Sequence, residues 1–219
     1  ARRGRPAVRT LGRWWVCALL LSRLPVPRVA RVPASFALPL GVPRLAPVDL
    51  LSLQPGHRDR TAPIGILGAG TGLGEAMVTF HHDEWVVIPS EGGHADFAPQ
   101  DEEQMRLLAA LKKKSGHVSW ERLVSGMGLC NIYEFLTGRE EQAARVAELA
   151  GQGDDAAVRT FRMFVDIYGS EAGNMALRVL ARVGVFLAGG VAAKKHKFFM
   201  DGKCMEAFLP QGPVRVLAS

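Results

Sequence analysis

Four glycines in seven residues, Gly68-Ala69-Gly70-Thr71-Gly72-Leu73-Gly74, follow directly on the apolar run Ile64–Leu67. Glycine at alternate positions is hostile to helix, so the chain turns here, and Ala76–Phe80 beyond the loop reads as a returning strand. His81–Glu84 makes the next turn and Trp85–Ile88 a third strand, which gives a meander with the glycine loop between its first two members. Consecutive N–H groups in such a loop can point inward at phosphate oxygens, and Thr71 adds a hydroxyl donor. No Lys-Ser/Thr follows Gly74, so this is not a Walker loop. The residues after Gly74 read as strand rather than helix, so it is not a Rossmann fingerprint. A phosphate loop and a hairpin turn with spare glycines both fit the residues.

Two further glycine turns adjoin apolar strands. Gly184-Val185-Phe186-Leu187-Ala188 has the continuous apolar character of a buried strand and ends in Gly189-Gly190 before a predicted helix. Such a turn can lay a nucleotide's adenosine against bare backbone, or can be an ordinary tight strand–helix connection. Glu91-Gly92-Gly93-His94-Ala95-Asp96-Phe97 places two acids and an imidazole around a glycine pair, a set able to bind sugar hydroxyls or to form a polar surface loop. Its spacing fits no standard zinc pattern and no cysteine is near. Glu121, thirty residues on from Glu91, sits just inside a predicted helix start, where the dipole alone favours an acid. His57, His81, His82, His117 and His196 show no partner pattern.

Helices dominate after the third strand. Asp101–Lys114, Gly128–Leu136, Glu140–Ala150 and a long region from Asp154 or Asp155 past Gly173 have helical periodicity, and Pro213–Leu217 reads as a last strand. The fold class expected is α/β, with helices on a mixed sheet.

Residues 1–44 differ in character. They carry nine Arg, no Lys and no acid, with Pro at 6, 25, 27, 33, 39 and 43, and show no sustained helical or strand period. Residues 1–60 have a net charge of +9 while the remainder has −3, so the overall +6 describes only this segment and gives no basis for a nucleic-acid partner. Trp14–Leu21 is too short to span a bilayer. Behind Arg2, Arg3, Arg5, Arg9 and Arg13 it has the look of a signal-peptide core, but no convincing cleavage site follows. A basic nucleic-acid arm is another reading. The favoured one is sequence not native to the fold that follows, as a GC-rich gene gives in a wrong frame; a single intact reading frame at the locus would contradict it. Cys17, Cys130 and Cys204 form no CxxC, and their odd number suits a reducing, cytoplasmic setting.

Five motifs in order carry a resemblance: Gly68–Gly74, Glu91–Pro99, Gly116–Arg122 with Ser125-Gly126, Gly173–Leu177, and Gly184–Val191. In this order and spacing the chain resembles the bacterial glucokinases of the actin-like/hexokinase ATPase superfamily, from about Leu45 to Val216. The resemblance implies ATP-dependent phosphorylation of glucose, with ATP and Mg²⁺ as cofactors. It implies glucose contacts from Glu91, His94 and Glu121, and ATP contacts from Gly68, Gly70, Thr71, Gly72, Gly189 and Gly190. It also implies the large C-terminal lobe of the fold over residues 45–219, cytoplasmic location, and a possible homodimer, with no nucleic acid and no membrane.

The departures are equally specific. The family's Asp-x-Gly-Gly-Thr phosphate turn and its Asn-Asp-Phe motif, which holds the general base, have no counterpart here. The expectation is a chain with its N-terminal lobe missing and its C-terminal end clipped, with little or no glucokinase activity. Loss of a general base typically costs about 10²- to 10⁴-fold in rate. A glucose-binding chain without catalysis is the alternative. A sugar-responsive DNA binder would need a helix-turn-helix that the Pro-rich segment does not supply.

Overall fold

The computed structural model describes residues 17–20, 39, 41–45, 49–54, 59 and 61–210. Among them, strands β1 (Cys17–Leu20), β2 (Leu50–Gln54), β3 (Ile64–Ala69), β4 (Leu73–His81), β5 (Glu84–Ser90) and β6 (Gly184–Ala188) form one mixed sheet in the order β2-β1-β6-β3-β4-β5. β3, β4 and β5 are the antiparallel meander read from the sequence, turning at His82 and Asp83, both with positive φ. β6 lies parallel to β3 on one side and to β1 on the other, and is buried at all five positions. Its side chains pack on both faces of the sheet, Val185 and Leu187 in one core and Phe186 and Ala188 in the other, which is why its sequence is continuously apolar.

β1 corrects one reading. It falls inside the arginine- and proline-rich segment judged to lack a strand period, yet it pairs with β2 and β6 within the sheet. Four residues are too few for a period to show, and hydrogen bonding from two neighbours overrides weak local preference.

Helices α1 (Glu102–Ser115), α2 (Gly126–Thr137), α3 (Ala143–Gln152), α4 (Asp155–Val179), α5 (Gly190–Lys194) and α6 (Lys203–Phe208) follow the meander in chain order, with β6 between α4 and α5. Capping explains their starts. Asp101 accepts from the Gln104 amide at 2.7 Å, Ser125 from Gly128 at 3.1 Å and Asp154 from Ala157 at 2.9 Å. Each such cap is worth about 1 kcal/mol. α1 ends at Gly116 as expected, whereas α3 starts later than Glu140 and ends at Gly153 rather than Gly151.

α4 is the central helix. Phe161, Phe164, Val165, Ile167, Tyr168 and Ala172 are wholly buried in the main core, together with Leu67 and Leu187 from the sheet. Burial of each large side chain stabilises by about 1.5–3 kcal/mol. The other face of the sheet carries a smaller core of Ile64, Ile66, Val78, Phe186 and Ala188, with Val42 and Ala62. The strand read at Pro213–Leu217, His57 and most of the loop before Pro63 lie outside the described residues.

Candidate functional site

Two glycine turns leave the sheet at one place because of strand register. In the parallel pair β3–β6, Gly68 lies opposite Ala188, so both strands end side by side. The carboxyl ends of parallel strands are where open α/β sheets bind ligands. Gly68–Gly74 is a hairpin in geometry, with Gly68 opposite Gly74 and the Gly70 amide donating to Gly72 O at 2.8 Å. Its tip is held from outside by the Gly126 amide, which donates to Gly70 O at 2.8 Å. At Gly189 φ is +91°, and a Cβ there would run into the Ala69 carbonyl, so only glycine lets the two turns approach. Beneath both, the Tyr168 hydroxyl lies 2.9 Å from Leu67 O and 3.3 Å from Ala188 O, the carbonyls just before the glycines.

The acidic turn arrives from β5. Residues Gly92–His94 form one turn of 3-10 helix, and the chain then runs antiparallel to the segment at Ser119. The Phe97 amide donates to Val118 O and the Trp120 amide to Ala95 O, both at 3.0 Å. This short ladder delivers Glu121 beside a turn thirty positions earlier in sequence. His94 Nε2 is 3.8 Å from Glu91 Oε2, and His94 Nδ1 is 4.0 Å from Glu121 Oε1. The side chains of Glu91 and His94 are 92% and 62% exposed, open to a ligand, while that of Glu121 is 24% exposed.

Glu121 is more than an acid at a helix start. Its Oε2 accepts from the Leu73 amide at 2.9 Å and so fixes the far leg of the glycine hairpin. The helix it stands on is a three-residue 3-10 turn, Trp120–Arg122, whose dipole is too short to explain the acid.

One cavity of about 840 Å³ collects these parts. Glu91, His94 and Glu121 line it together with Gly68, Gly70, Thr71 and Gly72 of the hairpin and with Gly189 and Gly190. Pro39, from the basic segment, lines it too. Among the described residues no group of three His, Cys, Asp or Glu is placed to hold a metal ion.

Sequence reasoning missed two features. His117, read as unpartnered, has its Nε2 2.8 Å from Asp96 Oδ1 and clips the acidic turn to the Ser119 segment. Glu75, on β4 and also lining the cavity, is buried with neither carboxyl oxygen hydrogen-bonded. Burial pushes its pKa up to about 7, against the lowering pull of Arg178. The sequence signal was an acid on the same inward face of β4 as buried Leu73.

The Glucokinase family model matches residues 19–219. A glucokinase from Trichormus variabilis is 36% identical over 90% of this chain, which spans 66% of that relative's length. A glucokinase from Nostoc punctiforme is 34% identical, with 90% of this chain aligned to 67% of that relative. Among solved structures, a glucokinase from an Antarctic psychrotroph superimposes with a TM-score of 0.77 at 28% identity, covering 82% of this chain and 58% of that one. The glucokinase of Balamuthia mandrillaris, solved in complex with glucose, gives a TM-score of 0.65 at 22% identity over 72% of this chain and 48% of that one, a likeness of fold. The shared fold is the α/β actin-like ATPase fold, and with a family match over residues 19–219 the chain belongs to the glucokinase family.

Proposed function

We propose that the cavity binds glucose beside the phosphates of ATP, the arrangement from which ATP-dependent phosphorylation of glucose to glucose 6-phosphate proceeds. The observation that carries this is the meeting of Glu91, His94 and Glu121 with two glycine turns around one cavity. Carboxylates and an imidazole offer the accept-and-donate pattern that adjacent sugar hydroxyls require. Glu91 and His94, being exposed, take hydroxyls directly, and Glu121 uses the oxygen that does not serve Leu73. Gly70, Thr71 and Gly72 meet phosphate oxygens, and Gly68, Gly189 and Gly190 meet the nucleotide where a side chain would block it. ATP supplies the transferred phosphoryl group. Magnesium enters this reading with the nucleotide, as the counter-ion of its phosphates.

Phosphoryl transfer is chiefly positioning and charge stabilisation, with a base to take the proton of the attacking hydroxyl. The 219 residues contain neither Asn-Asp-Phe nor Asp-x-Gly-Gly-Thr, and Glu91 and Glu121 are committed to binding. The chain as it stands therefore binds glucose and nucleotide with little or no turnover. A coupled assay for glucose 6-phosphate, with calorimetry alongside, tests both halves. Turnover at the rate of a full-length relative would contradict the second half, and absence of glucose binding the first. The compartment we propose is the cytoplasm, where ATP is abundant and a thiol such as that of Cys130 stays reduced.

A further inference from the structure

Glu75 is the buried carboxyl that the site's own chemistry does not use. Its side chain is fully shielded from solvent, and neither oxygen has a hydrogen-bond partner. Arg178 Nη1 lies 4.0 Å from its Oε2. That guanidinium is already taken, because its Nη2 pairs with Glu171, itself wholly buried and accepting from Asn174 Nδ2 at 3.0 Å. One cation thus faces two buried carboxyls. Ionising both would leave a negative charge unmatched in a low-dielectric place, so one of them keeps a proton. Glu171, with its two partners, holds the charge and Glu75 the proton.

The other side of Glu75 touches the acidic turn. A Cβ on Gly92 would overlap Glu75 Oε2, so the carboxyl packs directly against the backbone of that glycine. Ser90, paired with Glu75 across the β4–β5 ladder, accepts from the Gly92 amide at 2.9 Å. Glu75 is therefore the floor under Glu91 and His94.

We propose that Glu75 is a positioning residue whose neutral carboxyl supports the Glu91–His94 turn in its sugar-accepting geometry, and whose ionisation displaces that turn. The charged groups that bear on it are Arg178 from α4, with Glu171 sharing that cation, and Glu91, His94 and Glu121, which line the same cavity. β3, opposite at Leu67, and β5, opposite at Ser90, bring none at those positions. An ionised Glu75 competes with Glu171 for Arg178 and adds negative charge below Glu91. Burial places the change near neutral pH. The sugar part of this inference rests on the function proposed above.

The test compares the full chain with Glu75→Gln, a neutral isostere. Without sugar, hydrogen exchange at the Gly92, His94 and Ala95 amides, corrected for intrinsic pH dependence, is followed from about pH 6 to about pH 8. Protection in the wild type is expected to fall by about tenfold while the variant stays flat. Glucose affinity by calorimetry is expected to weaken over the same range in the wild type only. Identical pH profiles of the two proteins in exchange, or in measurable glucose affinity, overturn the proposal. If neither protein binds glucose at any pH, the sugar-site reading falls, and exchange alone still decides the role of Glu75. Should Glu75→Gln not fold, Arg178→Met serves: removing the cation must move the exchange midpoint to higher pH, and an unmoved midpoint overturns the proposal.

Discussion

At the scale of single residues, Glu121 carries two duties that separate under mutation. Glu121→Ala removes the acceptor of the Leu73 amide and is expected to destabilise the fold by about 1–3 kcal/mol, read from thermal or urea unfolding. Glu121→Gln keeps that acceptor but replaces the second carboxylate oxygen with a donor, so stability should hold while glucose affinity falls about tenfold or more. Glu75 gives a pH signature in stability. Its folded pKa of about 7 lies above the usual 4.5, so the native state holds a proton the unfolded chain has released. Stability is greatest below the unfolded value and declines as pH rises through about 7, by about 3 kcal/mol in all, and Glu75→Gln abolishes the decline. Glu91 and His94 were legible in sequence because chemistry-bearing residues around a glycine pair stand out. Glu75 was not, since an acid in a strand is ordinary until the strand's inward face and the distant Arg178 are known.

At the scale of elements, Tyr168 ties β3 to β6 where the glycine turns begin. Tyr168→Phe leaves the core packing intact and unpairs the bonds to Leu67 O and Ala188 O. It should cost about 1 kcal/mol in unfolding free energy and weaken binding of a non-hydrolysable ATP analogue, since the two turns lose their common anchor. The meander, the helix start at Asp101, the cap at Asp154 and the buried strand β6 could be read directly, because each depends on residues adjacent in sequence; the cap at Ser125 came from the structure alone. β1 could not: four residues in a proline-rich stretch become a strand only when β2 and β6 lie alongside. Likewise the ladder that brings Glu121 to His94 has no local sequence signature. Resemblance to a family implied that meeting before the backbone showed it.

At the scale of the whole molecule, the sheet has two described edges, β2 and β5. β5 exposes Val86 and Ile88, 44% and 41% accessible, on an edge strand with unpaired backbone groups. Such edges promote association, so Val86→Lys with Ile88→Lys should reduce self-association measured by sedimentation without lowering stability. The central claim is that residues from four separate stretches, around Gly70, His94, Glu121 and Gly189, build one cavity that accepts glucose. Titration calorimetry of glucose into the purified chain, beside the same titration of Glu121→Gln, tests it most directly. The account predicts a single saturable site, weakened about tenfold or more in the variant. No saturable heat in the wild type, or equal affinity in the two proteins, would contradict it.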